Sequence, residues 1–108
     1  MIEIKDSDMS CLKDKTCLIL LYCTATWCGP CQRIKPLIQK LSDGLDQSLV
    51  EIYQVDIDEN DDLVSELDVD SVPTFKLLKG PSVIGECSGA DITNVHNLLK
   101  EHMIDIKK

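Results

Sequence analysis

The sequence is short of basic residues: 11 lysines and arginines stand against 19 aspartates and glutamates, a formal net charge of -8 at pH 7. That balance argues against nucleic acid or an anionic membrane as a partner. The densest stretch of acid lies between Asp56 and Asp70, with eight of the 19, where a solvated face accounts for it without a docking role. Long apolar runs are missing too. The longest, Leu18 to Cys23, is far too short to cross a bilayer. The opening MIEIKDSDMS lacks the basic, apolar and small-residue order of a secretory signal, so export is not expected. No repeat, low-complexity tract or linker divides the chain, and 108 residues leave no room for a second hydrophobic core. The expectation is a single domain, residues 1–108, in the cytoplasm.

Cysteine is the exception to this scarcity, with six in the chain. Only one pair, Cys28-Gly29-Pro30-Cys31, has a motif spacing; Cys11, Cys17, Cys23 and Cys87 stand singly in apolar or alternating stretches. In a secreted mini-protein six cysteines suggest a disulfide framework. This chain is long enough to fold without staples, and its 44% apolar and 28% charged composition is ordinary for a globular protein. A reducing compartment with free thiols is the better inference.

Periodicity supplies the elements. Met1 to Lys5 alternates as a short strand, followed by a short helix around Ser7 to Lys13. Cys17 to Cys23 is a continuous apolar run of strand length, as in a strand buried on both faces. From Cys28 to Gly44, Ile34, Leu37, Ile38, Leu41 and Leu45 keep a helical period, with a kink expected at Pro36. Leu49 to Val55 is a second buried strand. Asp58 opens an acid-led helix that carries Leu63, Val64 and Leu67 to the core. Pro73 to Leu78 and Val83 to Ser88 form a hairpin about Lys79-Gly80-Pro81. Asp91 or Thr93 begins a last helix with Ile92, Val95, Leu98, Leu99 and Met103 on one side. The order βαβαβαββα implies an α/β fold, a mixed sheet covered on both faces.

A Cys-x-x-Cys where a buried strand meets a helix has a specific consequence. Residues one helical turn apart lie about 5–6 Å from each other, within the range a disulfide accepts, so the pair opens and closes with little backbone movement. Cys28, at the helix N-terminus, faces unpaired backbone N–H groups that favour its thiolate, the attacking species. Cys31, one turn further in, is placed to attack a mixed disulfide and release the substrate. Pro30 suits a first turn, where no donor is needed. The alternative for such a motif is half of a zinc site, but no second Cys-x-x-Cys or close Cys/His pair completes it. His96 and His102 lie off a shared helical face and serve as solvated helix residues. No metal and no bound cofactor are expected.

The segment Ala25-Thr26-Trp27-Cys28-Gly29-Pro30-Cys31 resembles the active site of thioredoxins. The likeness continues through Pro36, Val55-Asp56-Ile57-Asp58, Val72-Pro73-Thr74-Phe75 and Gly85 to Ala90, nearly the whole chain, and is nearest to eukaryotic cytosolic members. It implies the thioredoxin fold, a central mixed β-sheet flanked by four helices, with Cys28 as nucleophile and Cys31 as resolving thiol. It also implies a cis peptide before Pro73, close to the disulfide, that offers the Val72 backbone to substrate. Trp27, Gly29, Pro30, Val72, Pro73 and Gly89 are the substrate contacts the resemblance points to. For Trp27 the alternative is a core aromatic, and for Gly89 a plain turn glycine. The Gly-Pro dipeptide is similar to that of the reducing thioredoxins, whereas isomerases usually carry Gly-His and glutaredoxins Pro-Tyr. The partners implied are disulfide-containing proteins and an NADPH-dependent thioredoxin reductase, acting on a monomer.

The chain departs from that pattern beneath the site. Most thioredoxins bury an acidic residue six positions before the nucleophile; here it is Tyr22, and Gln54 replaces a charged partner on the next strand. A phenol that ionises near pH 10 is no base at neutrality. Tyr22 and Gln54 therefore either modulate resolution or simply fill space and hydrogen-bond locally. Of the single cysteines, Cys17, Cys23 and Cys87 suit packing, and Cys11 is the candidate for an exposed regulatory thiol. Two functions fit: a protein-disulfide reductase, or a redox-switched binding module with little turnover.

Overall fold

The computed structural model describes residues 2–4, 17–46, 48–80 and 82–102. Strands β1 (Ile2–Ile4) and β2 (Leu18–Thr24) precede helix α1 (Gly29–Gly44). Then come β3 (Val50–Asp56), α2 (Asp61–Leu67), β4 (Thr74–Lys79), β5 (Ser82–Ser88) and α3 (Ile92–Glu101). The helix expected around Ser7 to Lys13 lies outside the described residues, as do Cys11, Pro81 and Met103.

The strands form one mixed sheet in the order β1-β3-β2-β4-β5. β3 runs parallel to both β1 and β2, while β4 is antiparallel to β2 and β5. The parallel pair β2 and β3 requires a crossover, and α1 supplies it. Alternation along β2 divides the core in two. Leu20 and Tyr22 pack with Ile34, Ile38 and Leu41 of α1 and Val95, Leu98 and Leu99 of α3. Ile19, Leu21 and Cys23 face the other way, with Leu63 and Leu67 of α2. The apolar run is thus a strand buried on both faces, and its C-terminal end becomes a rigid platform for whatever follows Thr24.

Three details differ from the periodic expectation. Leu37 is 47% exposed, because Ile34, Ile38, Leu41 and Leu45 already complete the stripe that α1 turns to the sheet. Helix α1 continues through Pro36, which sits on the exposed side where an unpaired carbonyl meets water. α2 starts at Asp61 rather than Asp58: the Asp58 N–H bonds to Asp56 Oδ1 at 2.9 Å, which closes a turn before the helix. Val64 is half-buried, since Leu63 and Leu67 alone fill the narrow contact of so short a helix. Asn60, just ahead of α2, is buried, and its amide donates to Ile4 O at 3.2 Å and Asp56 O at 2.9 Å, joining β1 to the end of β3. The last helix starts after Asp91, whose carboxylate accepts from Thr93 N at 2.9 Å.

On the α2 side of the sheet, Lys76 of β4 is buried and pairs with Glu86 of β5. Close by, Cys23 is fully buried, and burial pushes its thiol up to about 12 although Lys76 pulls the other way. The sign of the resulting pH dependence follows. In the unfolded chain this thiol ionises near 9.0, whereas in the fold it keeps its proton to about 12. Its contribution is present in full below that window and is lost as pH rises through it. Stability in urea should therefore fall from about pH 9 to 12 with a steeper slope in the parent than in Cys23→Ala. Equal slopes would contradict this assignment.

Candidate redox-active site

β2 ends at Thr24 and the chain turns at once into α1. Ala25 O anchors the turn by accepting Cys28 N at 3.2 Å and the Gln32 side-chain amide at 2.9 Å. Cys28 occupies the N-cap position of α1 in an extended conformation, and its sulfur accepts the Cys31 N–H at 3.2 Å. Pro30 falls in the first turn, which carries no acidic side chain to offset the positive end of the helix dipole. A sulfur at this position is held where negative charge on it is stabilised. Cys28 and Cys31 form a disulfide with their Cα atoms 5.3 Å apart, an ordinary separation for the bond. Cys31 is wholly buried and Cys28 is 6% exposed, so attack from outside reaches Cys28 first.

The remaining residues singled out from sequence converge on this pair. The Val72–Pro73 peptide is cis, and Val72 O lies 3.8 Å from Cys28 Sγ. Pro73 O accepts the Gly89 N–H at 3.0 Å, so the loops before β4 and after β5 are joined beside the disulfide. Gly89 has φ +92 and open space where a Cβ would stand. Its backbone conformation demands glycine, and the surface above it is clear. Trp27 is 66% exposed, which excludes the core-aromatic reading. Its indole N–H donates to Asp58 Oδ2 at 2.9 Å, so the ring stands at the rim in a fixed orientation. Gly29 and Pro30 are exposed next to it. Asp58 is a participant that sequence reading treated as a helix start; only its place in the shared Val55 to Asp58 segment hinted at more.

The floor of the site is uncharged. Tyr22 is fully buried, stacks on Phe75 with ring centroids 5.4 Å apart, and donates its phenol proton to Cys31 O at 2.6 Å. Burial pushes the phenol pKa up and the nearby Thr24 hydroxyl opposes this. No hydrogen bond in good geometry joins the two, and Thr24 Oγ1 has no partner among the described residues. Half-buried Gln54 lies opposite Tyr22 in the β2–β3 register. Tyr22 therefore grips the backbone of Cys31 rather than its sulfur.

The other thiols are placed elsewhere. Cys17 Sγ donates to Glu51 Oε1 at 3.2 Å. Cys87 packs against the α3 side of the core, its thiol pushed up by burial and then by Glu101. The His102 ring nitrogens face Leu98 O at 3.0 Å and Ile84 O at 3.2 Å, and His96 is half-buried on α3. Among the described residues, no group of three or more His, Cys, Asp or Glu is arranged to hold a metal ion. Among them, too, no helix is long and apolar enough to cross a membrane.

Comparison with known proteins agrees with this geometry. The thioredoxin family model matches residues 4–101. Thioredoxin O1, mitochondrial, of Arabidopsis thaliana is 41% identical over 95 residues; the match covers 86% of this chain and 48% of the relative's length. The thioredoxin of Homo sapiens is 38% identical over 84 residues, covering 78% of each chain. The crystal structure of reduced Schistosoma mansoni thioredoxin pre-protein superposes with a TM-score of 0.84 at 33% identity, over 93% of this chain and 95% of that one. With its Cys28–Cys31 disulfide at the head of α1 and a family match that spans nearly all of it, this chain belongs to the thioredoxin family.

Proposed function

We propose that the chain is a protein-disulfide reductase, acting as a single domain over residues 1–108. The observation that carries this reading is the Cys28 sulfur capping α1, with Cys31 one turn behind it and sealed from solvent. In the reduced protein, the Cys28 thiolate attacks one sulfur of a substrate disulfide, and the other substrate sulfur leaves as a thiolate that takes up a proton. Cys31 then loses its proton and attacks Cys28. The Cys28–substrate bond breaks, the second substrate thiol departs, and the protein is left as the disulfide. Two electrons pass from the protein to the substrate.

The exposed rim fits an extended substrate. Trp27, Gly29, Pro30 and Gly89 are its exposed members, Val72 is half-buried and Pro73 buried, and a Cβ at Gly89 would meet nothing within 4 Å. A substrate strand lying across it would meet the Val72 backbone beside the reacting sulfur. The dithiol is then regenerated by an NADPH-dependent thioredoxin reductase, with no cofactor bound to this chain, which we read as a cytoplasmic monomer. The uncharged floor formed by Tyr22 and Gln54 modulates the second step, because no buried carboxylate is there to take the Cys31 proton.

Dithiothreitol-driven reduction of insulin disulfides is expected for the parent and should drop to background in Cys28→Ser. A folded parent without turnover would overturn the reductase reading. Cys31→Ser should accumulate covalent mixed disulfides at Cys28; partners held only non-covalently would favour the binding-module alternative. Tyr22→Asp, which places a carboxylate beneath Cys31, should change the pH profile of mixed-disulfide resolution, and identical profiles would remove any role for the uncharged floor.

A further inference from the structure

One polar group under the site is left over by everything above. Thr24 is 3% exposed, and its Oγ1 has no hydrogen-bond partner among the described residues. A buried hydroxyl in that state is costly, and proteins commonly satisfy such groups with an ordered water.

Its surroundings say what the group faces. Thr24 and Tyr22 project from the same face of β2, the face that α1 covers, and Thr24 is the residue nearer to the Cys28 turn. The Tyr22 proton is committed to Cys31 O at 2.6 Å, so the phenol oxygen keeps only acceptor capacity towards its neighbours. Across the sheet, Thr24 is in register with Asp56, a half-buried carboxylate at the end of β3. Gln54, beside Tyr22 in the same register, is neutral. From β4 the facing side chain is Phe75, while Lys76 and Cys23 belong to the opposite face of the sheet. The buried residues at the start of α1 are Cys31 and Ile34. The Tyr22 phenol thus sits against the Cys31 backbone, the Thr24 hydroxyl acts on that phenol from the same strand, and Asp56 is the carboxylate in register with Thr24.

We propose that Thr24 is a positioning residue for the resolving step, its hydroxyl holding a water beside the Tyr22 phenol that takes up the proton leaving Cys31. This rests on the reductase reading. The balance is simple: the Cys31 S–H bond breaks and its proton passes to that water and on to solvent. The sulfur electron pair forms the Cys31–Cys28 bond. The Cys28–substrate bond breaks, and its electron pair leaves on the substrate sulfur, which is protonated by solvent. No oxidant or reductant beyond the two thiols and the substrate disulfide is needed. The hydroxyls hold the relaying water without placing a charge in the core, and the proton ends in solvent rather than on a buried carboxylate.

The test, with Cys11, Cys17 and Cys87 replaced by serine in parent and variants alike, is stopped-flow reaction of the reduced protein with 5,5'-dithiobis(2-nitrobenzoate), which releases one coloured thiolate when Cys28 attacks and a second when Cys31 resolves. Thr24→Val has the same shape and removes only the hydroxyl, so it should fold. Its first release should match the parent's. Its second should be slower by about tenfold or more near neutrality, the gap closing as pH approaches the ordinary thiol pKa of about 8.5. Thr24→Ser should restore the second phase. An unchanged second phase in Thr24→Val overturns the proposal, and so does equal slowing of both phases without rescue by serine. Failure of the underlying reading would show in the parent itself, as loss of the first or the second release.

Discussion

One contact organises the site: the backbone N–H of Cys31 donating to the sulfur of Cys28 at 3.2 Å. It makes a side chain that reacts into the cap of a helix. The chemistry and the local fold thereby share one geometry, since whatever stabilises the start of α1 also stabilises negative charge on Cys28. The absence of acidic residues in the first turn leaves that field unopposed. Pro30 removes a donor where none is needed. The disulfide then needs no special framework, because one helical turn already sets its span.

The sheet exists, in functional terms, to hold that cap still. β2 lies between a parallel and an antiparallel neighbour and is buried on both faces, so its end cannot drift. The turn from β2 into α1 is tied through Ala25 O, and Tyr22 fastens the Cys31 backbone from below. The second wall arrives from the far end of the chain. β4 places Val72 O near Cys28, and Gly89 after β5 bonds to Pro73 O. Only there does the positive φ of Gly89 earn its place in the design.

Much of this was legible before any coordinates. The i to i+3 spacing of the cysteines, the two-faced burial of the Leu18 run and the hairpin about Gly80 are local, and local physics decides them. The cis peptide at Pro73 followed from resemblance rather than from any property of Val-Pro alone. What escaped was long-range or a matter of competition. Nothing near Asp58 in sequence indicates that its carboxylate meets Trp27, 31 residues away. Asn60 looked like part of a helix start, and its amide serves β1 instead. Leu37 kept the helical period but lost its place to residues better aligned with the sheet. Thr24 drew no notice in the sequence, because an unsatisfied hydroxyl shows only when all its neighbours are placed.

The central claim is that the head of α1 stabilises the Cys28 thiolate. Its most direct test is the ionisation of Cys28 in the reduced protein, followed by the pH dependence of its alkylation by iodoacetamide, with Cys31→Ser removing its disulfide partner and the alkylated residue identified by peptide mass. Midpoint ionisation well below the ordinary thiol value of about 8.5 is the result expected of a sulfur capping a helix. A midpoint at or above that value would show that the cap geometry does not activate Cys28, and the account would fail at its first step.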